Sequence, residues 1–349
     1  MGSIQQHVQA RHDGNPSMPA DLDLVVTTRA GVPENVHRGR ISVVSADGGV
    51  AVASYGDVTA LTFVRSTAKP IQAIAPLMAG TAEAFGWDDR HLALMAASQR
   101  GYADQVAALQ EMLDRAGIPE EAFVFRAGKP VSSEAREAWA AAGGEPRKLY
   151  HTCAGKHLGM LAWSKLEGWP LEGYAEPEHP AQREIARRVR EWAGATEHDF
   201  ELGRDGCGLP VAAMPLERIA LSYARLACPD AAADERAAEA ASRVAAAMNR
   251  HPELVEGPGR LASMLLADPN VVAKSGAQGL FTIGLRRERL GIAIHVADGT
   301  EGAWPHVVIA LLERLGGVSA DTLAGLRARF PAEYRNDAGD IAGRWEIVF

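Results

Sequence analysis

The sequence has no run of about eighteen consecutive apolar residues, so it lacks the material for a membrane helix. Its first twenty residues are polar, with His7, His12 and Pro16 where a secretory signal carries its apolar stretch, and a cytoplasmic location is the expectation. Like charge is never concentrated: 36 basic and 44 acidic side chains are spread along 349 residues, giving a formal charge of -8. With no basic tract to follow a phosphate backbone, neither nucleic acid nor membrane is an expected partner. Cysteine is scarce too. Cys153, Cys207 and Cys228 are odd in number, widely spaced and without a Cys-x-x-Cys, which argues against a disulfide framework and leaves reduced thiols or metal ligands. Internal repeats and low-complexity tracts are absent.

What is present, 47% hydrophobic and 23% charged residues, is ordinary globular material, enough for a sizeable core. Residues 1–20 read as a disordered tail and 21–349 as a single unit. β-Branched stretches at Leu24 to Thr28, Ile41 to Val44 and Val50 to Ser54, separated by turns such as Asp47-Gly48-Gly49, predict antiparallel strands. Ala- and Leu-rich segments at helical spacing then dominate, among them Asp104 to Ala116, Ala181 to Ala193 and Ala231 to Met248. Strand patterns return at Leu280 to Leu285, Gly291 to Val296 and Trp345 to Phe349, with Trp304 to Leu315 as a helix. The fold class is therefore α/β in the α+β sense: an antiparallel sheet from both ends of the chain (21–64 and 270–349), packed on a mostly helical region (65–269) that includes a helical insertion.

The strongest local signal is Arg65-Ser66-Thr67-Ala68-Lys69-Pro70, which follows the apolar run Leu61 to Val64 and opens a helix reaching about Met78. Residues three apart on a helix share a face, so the Ser66 hydroxyl and the Lys69 amine can meet. A lysine buried beside other cations sheds its proton near neutrality, and the free amine can then take the serine proton. The same spacing also fits a cap serine and a solvated lysine. Ser98 closes the apolar run Leu92 to Ala97, where a serine is ordinarily a cap. Ala273-Lys274-Ser275-Gly276 stands before a strand, as a Lys-Thr-Gly-like element does in penicillin-binding proteins and β-lactamases, whose middle Ser-Asp-Asn element is missing here. Cys153 and Lys156 share a helix face in His151-Thr152-Cys153-Ala154-Gly155-Lys156-His157, and Cys207 lies in the glycine-rich turn Asp205-Gly206-Cys207-Gly208. Two thiolates and a further ligand could hold Zn2+ with an open position; buried thiols in tight turns are the alternative.

Taken in order, these five motifs resemble the rhizobial-type (class 3) L-asparaginases, from about Val36-His37-Arg38-Gly39 to Asp298-Gly299. The resemblance implies a serine-β-lactamase-like fold and hydrolysis of a side-chain amide through an acyl-enzyme. It makes Ser66 with Lys69 one catalytic tandem and Ser98 with Lys274 a second; either serine could attack, and Ser66 is favoured. It places Cys153, Lys156 and Cys207 around a zinc ion that orients substrate, with Asp205 beside them. His37, Arg65, Gln99, Tyr102 and Gly276 join Asp205 as candidate substrate-binding residues. A small-molecule amide is the implied partner, and a homodimer fits the many apolar residues of the helical middle.

The family pattern Ser-His-x-Gly-Glu is Ser98-Gln99-Arg100-Gly101-Tyr102 here, and Ala262 in Gly259-Arg260-Leu261-Ala262-Ser263 supplies no polar group where the family often has one. Loss of the carboxylate at Tyr102 removes a match for the amino group of asparagine. That departure leaves open a relative acting on another amide, ester or biosynthetic intermediate. A non-catalytic binding protein of the same fold and a β-lactam hydrolase are the remaining alternatives.

Overall fold

The computed structural model describes residues 19–349, so the expected tail lies outside the described residues except for Pro19 and Ala20. Eight strands form one antiparallel sheet: β1 (Leu22–Arg29), β2 (Val32–Ser45), β3 (Ala51–Tyr55), β7 (Val271–Ser275), β8 (Leu280–Leu285), β9 (Leu290–Val296), β10 (Glu333–Arg335) and β11 (Ile341–Ile347). Their order is β10-β11-β1-β2-β9-β8-β7, with β3 paired to β2. Strands from the two ends of the chain therefore interleave, β11 beside β1 and β9 beside β2. The β1–β2 hairpin closes through Ala30-Gly31, both at positive φ (51° and 78°), the two-residue geometry whose twist matches the flanking strands.

Both faces of the sheet are covered, so β7 and β8 are buried throughout, the polar Lys274, Ser275 and Thr282 included. Alternate residues divide between the two sides. Ile41, Val43, Phe281, Ile283, Ile292 and Ile294 pack with the helices Leu261–Leu266, Trp304–Leu315 and Ala320–Arg329. Val44, Val272, Leu280 and Ala293 face the larger helical region. On that side the helix Leu216–Ala227 lies directly on the strands. A Cβ at Gly284 would fall 2.4 Å from the Tyr223 carbonyl oxygen, and one at Gly291 2.0 Å from that of Ala220, so only glycine permits this approach.

The middle of the chain is mostly helical, as its periodicity predicts, with one addition. A second, three-stranded sheet of order β4-β6-β5 pairs β4 (Leu61–Phe63) with β6 (Pro210–Pro215) and β6 with β5 (Glu201–Arg204). The run Leu61 to Val64 thus leaves the main sheet and clasps the helical region. No helix among the described residues is long and apolar enough to cross a membrane.

Candidate active site

Edge strand β4 ends in a sharp turn at Arg65, whose φ of 46° is a conformation non-glycine residues seldom adopt. The chain continues as a 3-10 turn (Arg65–Ala68) and then the short helix Lys69–Gln72. Two bonds fasten the turn: Val64 N–H donates to the Ala212 carbonyl at 2.9 Å, and the Tyr223 hydroxyl to the Thr67 carbonyl at 2.7 Å. Lys69 is fully buried. Its Nζ donates to the Ala97 carbonyl at 2.6 Å, to Ser98 Oγ at 3.0 Å and to the Thr152 carbonyl at 3.2 Å. These acceptors converge because the helices Asp89–Met95 and Ala154–Leu166 touch: a Cβ at Gly155 would lie 2.0 Å from the Leu94 carbonyl oxygen. Burial drives the Lys69 pKa down to about 8 against the pull of Cys153, and the nearby Lys274 and Lys156 add to the fall.

The serine–lysine pairing thus differs from the one the motif spacing suggests. Lys69 bonds Ser98, while the partly exposed Ser66 makes no side-chain hydrogen bond among the described residues. An amine sealed from water settles where it finds most acceptors, and those lie on the Ser98 side, two of them backbone carbonyls.

Nor does Lys274 pair with Ser98. At the end of β7 its Nζ lies 2.5 Å from Glu256 Oε1 and 2.9 Å from the Ser275 carbonyl. The same Glu256 oxygen accepts from Ser275 N–H at 3.1 Å and from the Ser275 hydroxyl. Burial alone would raise the Glu256 pKa, but the Lys274 charge, the hydrogen bonds from Lys274 and Ser275, and the charge of Arg100 bring it to about 2. Burial lowers the Lys274 pKa, and the charge and hydrogen bond of Glu256 oppose the fall. Lys274 is therefore engaged by a carboxylate rather than by Ser98. Glu256 was not legible as a site residue: a lone acid after Leu254-Val255 carries no spacing signal.

The three expected metal ligands do meet. Lys156 Nζ donates to Cys207 Sγ at 3.3 Å, and the Cys207 thiol also hydrogen-bonds the Cys153 sulfur. That bond, with Lys69, Lys156 and His151, holds the Cys153 thiol well below its usual range despite burial; Cys207 is raised correspondingly. Lys156 is pulled down by burial, but the two sulfurs and Asp205 outweigh this and keep it charged. Among the described residues no three His, Cys, Asp or Glu side chains form a metal-holding group. Two buried thiols and an amine nonetheless make a soft donor set that suits Zn2+ once Cys207 and Lys156 give up their protons. Cys228 lies elsewhere, its thiol on the Arg286 carbonyl at 3.6 Å.

Of the candidate substrate-binding residues, Arg65 and Asp205 form an ion pair at 3.1 Å beside the cysteines. Gly276 abuts the serine turn, where a Cβ would sit 3.3 Å from Thr67 Cγ2. Gln99 is committed elsewhere. It is 1% exposed, and its amide donates to the Leu149 and His151 carbonyls at 2.8 and 2.7 Å, bracing the segment before Cys153. Tyr102 caps the helix Ala103–Ala116, with its ring against Gly257 and its hydroxyl bonded to Ser132 and Glu134. His37 lies 2.6 Å from Asp298 and stacks on Trp345, with none of the catalytic candidates among its contacts.

The sequence model of one family, described as L-asparaginase II, matches residues 25–347. No curated protein matches the chain. Among solved structures, a β-lactamase from Mycobacterium bovis is 14% identical, with 79% of this chain and 94% of that one covered and a TM-score of 0.40. A protein called Mglu in its native form is 17% identical over 83% of this chain at a TM-score of 0.43, and this chain spans 60% of its length.

Proposed function

The chain belongs to the L-asparaginase II family and is an amide hydrolase acting on a small-molecule amide; from this premise we propose that Ser98 is its nucleophile and Lys69 the base. The substrate is L-asparagine or a related carboxamide. One observation carries the choice: Lys69 Nζ, its pKa down to about 8, stands 3.0 Å from Ser98 Oγ. The neutral amine takes the Ser98 proton as Oγ attacks the amide carbon. The resulting lysine ammonium returns the proton to the departing nitrogen, so ammonia leaves and an acyl-serine remains. Water activated by the same amine then releases the acid. The charge of Lys274, bonded to Glu256, adds to the fall in the Lys69 pKa.

Ammonia release by the wild type, Ser98→Ala and Ser66→Ala tests the assignment. Loss of activity in Ser98→Ala with activity retained in Ser66→Ala is the expected result; the reverse hands the nucleophile to Ser66.

Cys153, Cys207 and Lys156 would hold the zinc ion of this reading, which would supply a fixed positive charge to orient the substrate. Cys207→Ser is expected to lower bound zinc, measured by elemental analysis, and equal metal content would remove zinc from the scheme. Free thiols at all three cysteines suit a reducing cytoplasm. A homodimer is supported by edge strand β4, whose Leu61 and Phe63 remain 42% and 48% exposed; sedimentation as a monomer at micromolar concentration would overturn it.

A further inference from the structure

Ser98 lies on a stretch without regular structure: after the helix Asp89–Met95 the chain runs through Ala97 to Tyr102 before the helix Ala103–Ala116 begins. No helix or strand ladder fixes where the Ser98 hydroxyl stands, and the backbone donors of the stretch need other acceptors. The Ser98 N–H finds the Val255 carbonyl at 2.8 Å. Three donors further on find a single side chain. Gln105, fully buried in the first turn of the helix Ala103–Ala116, accepts on Oε1 from the N–H groups of Arg100, Gly101 and Tyr102 at 2.9, 3.1 and 3.2 Å. Its amide nitrogen donates to the Glu253 and Leu254 carbonyls at 3.1 and 3.3 Å. One buried amide thus ties the Ser98 loop to the segment that supplies Val255 and then Glu256, the partner of Lys274.

A capping glutamine accounts only for the bond from the N–H of Tyr102, the residue that opens its helix. The bonds to Arg100, Gly101 and two carbonyls 148 and 149 residues on add nothing to that cap, and they fix how the loop stands against residues 253–255. On its other side the loop is braced by Gln99, whose amide holds the Leu149 and His151 carbonyls beside Thr152, an acceptor of Lys69. We propose that Gln105 is a positioning residue: by joining the Ser98 loop to Glu253 and Leu254 it keeps Ser98 Oγ at the 3.0 Å from Lys69 Nζ that proton transfer needs. The inference rests on the reading that Ser98 is the nucleophile of an amide hydrolase and Lys69 its base. Misplacing a reacting group by about 1 Å can cost about a hundredfold in rate, and a loss confined to the transition state lowers kcat without raising KM.

Two variants separate positioning from capping. Gln105→Glu keeps the oxygen that caps the helix and loses the donors to the Glu253 and Leu254 carbonyls, whereas Gln105→Met keeps only the bulk of the side chain. Ammonia release from L-asparagine by each should show kcat lowered about ten- to a hundredfold, with KM within about threefold of the wild type. Ser319→Ala, which removes a cap from the helix Ala320–Arg329 on the other face of the sheet, should lower the midpoint of urea unfolding and leave kcat unchanged. Wild-type kcat in a folded Gln105→Glu, or a raised KM with kcat intact, overturns the proposal and leaves the hydrolase reading standing. Ammonia release by Ser98→Ala at the wild-type rate sinks that reading and the proposal with it. Crystal structures give a readout without turnover. The separation of Ser98 Oγ from Lys69 Nζ should widen beyond about 3.5 Å in Gln105→Met, and retention of the 3.0 Å contact overturns the positioning role even if L-asparagine is not hydrolysed. If circular dichroism shows Gln105→Met unfolded, Gln105→Glu decides by both readouts.

Discussion

Lys69 and Lys274 have the same side chain and are both sealed from water, and Glu256 separates their roles. With Lys69 as the base, the rate of ammonia release should rise with pH through about 8 and level off above it, because only the neutral amine accepts a proton. A flat profile between pH 6 and 9, with the chemical step rate-limiting, would remove Lys69 from that role. Lys69→Met should lower kcat about a hundred- to ten-thousandfold. Glu256→Gln strands a buried ammonium, a loss of about 3–5 kcal/mol in urea melts, and the double variant Glu256→Gln with Lys274→Met should recover much of it. The sign of the pH effect on stability follows from Glu256, whose folded pKa of about 2 is depressed from an ordinary 4.5. Its contribution is whole above pH 4.5 and drains away as pH falls towards 2, and the melting-temperature profile of Glu256→Gln should lack that part of the acid limb. Residue by residue, the sequence singled out Lys69, Ser98, Cys153, Lys156 and Cys207 as candidates, and the structure brings these side chains near one another. Pairing was not legible, because helical spacing reports only which side chains start on one face, whereas a long lysine ends where its acceptors are.

Single close contacts decide how the helices seat. Gly291 has the Ala220 carbonyl oxygen 2.0 Å from where a Cβ would stand, so Gly291→Ala must push the helix Leu216–Ala227 off β9. A destabilisation of about 1–3 kcal/mol by chemical denaturation is expected, and no change would mean that the helix is loosely seated. Strong periodicity made most elements readable, among them the helices Pro180–Ala193 and Trp304–Leu315 and the strands β8 and β9. The three-stranded sheet escaped notice for a local reason. β5 is four residues long and mostly exposed, and β6 begins at Pro210 and is apolar without alternation, so neither announces a strand. Likewise β10, three residues long, is defined only by its partner β11.

For the molecule as a whole, strands from both ends of the chain share a sheet with helices on either face, and the site residues come from the helical middle and from β7, which lies far from Ser98 in sequence. That architecture was legible because strand patterns flank a helical middle; which residues would touch across some two hundred intervening positions was not. The helix Leu216–Ala227 links the two parts: seated on Gly284 and Gly291, it extends the Tyr223 hydroxyl to the Thr67 carbonyl beside Ser66. Local fraying of the serine turn therefore has to break a bond to an element clamped on the sheet. In deuterated solvent, the amide of Thr67 should exchange on the timescale of the β8–β9 amides, and Tyr223→Phe should release it to exchange sooner while leaving those strands protected.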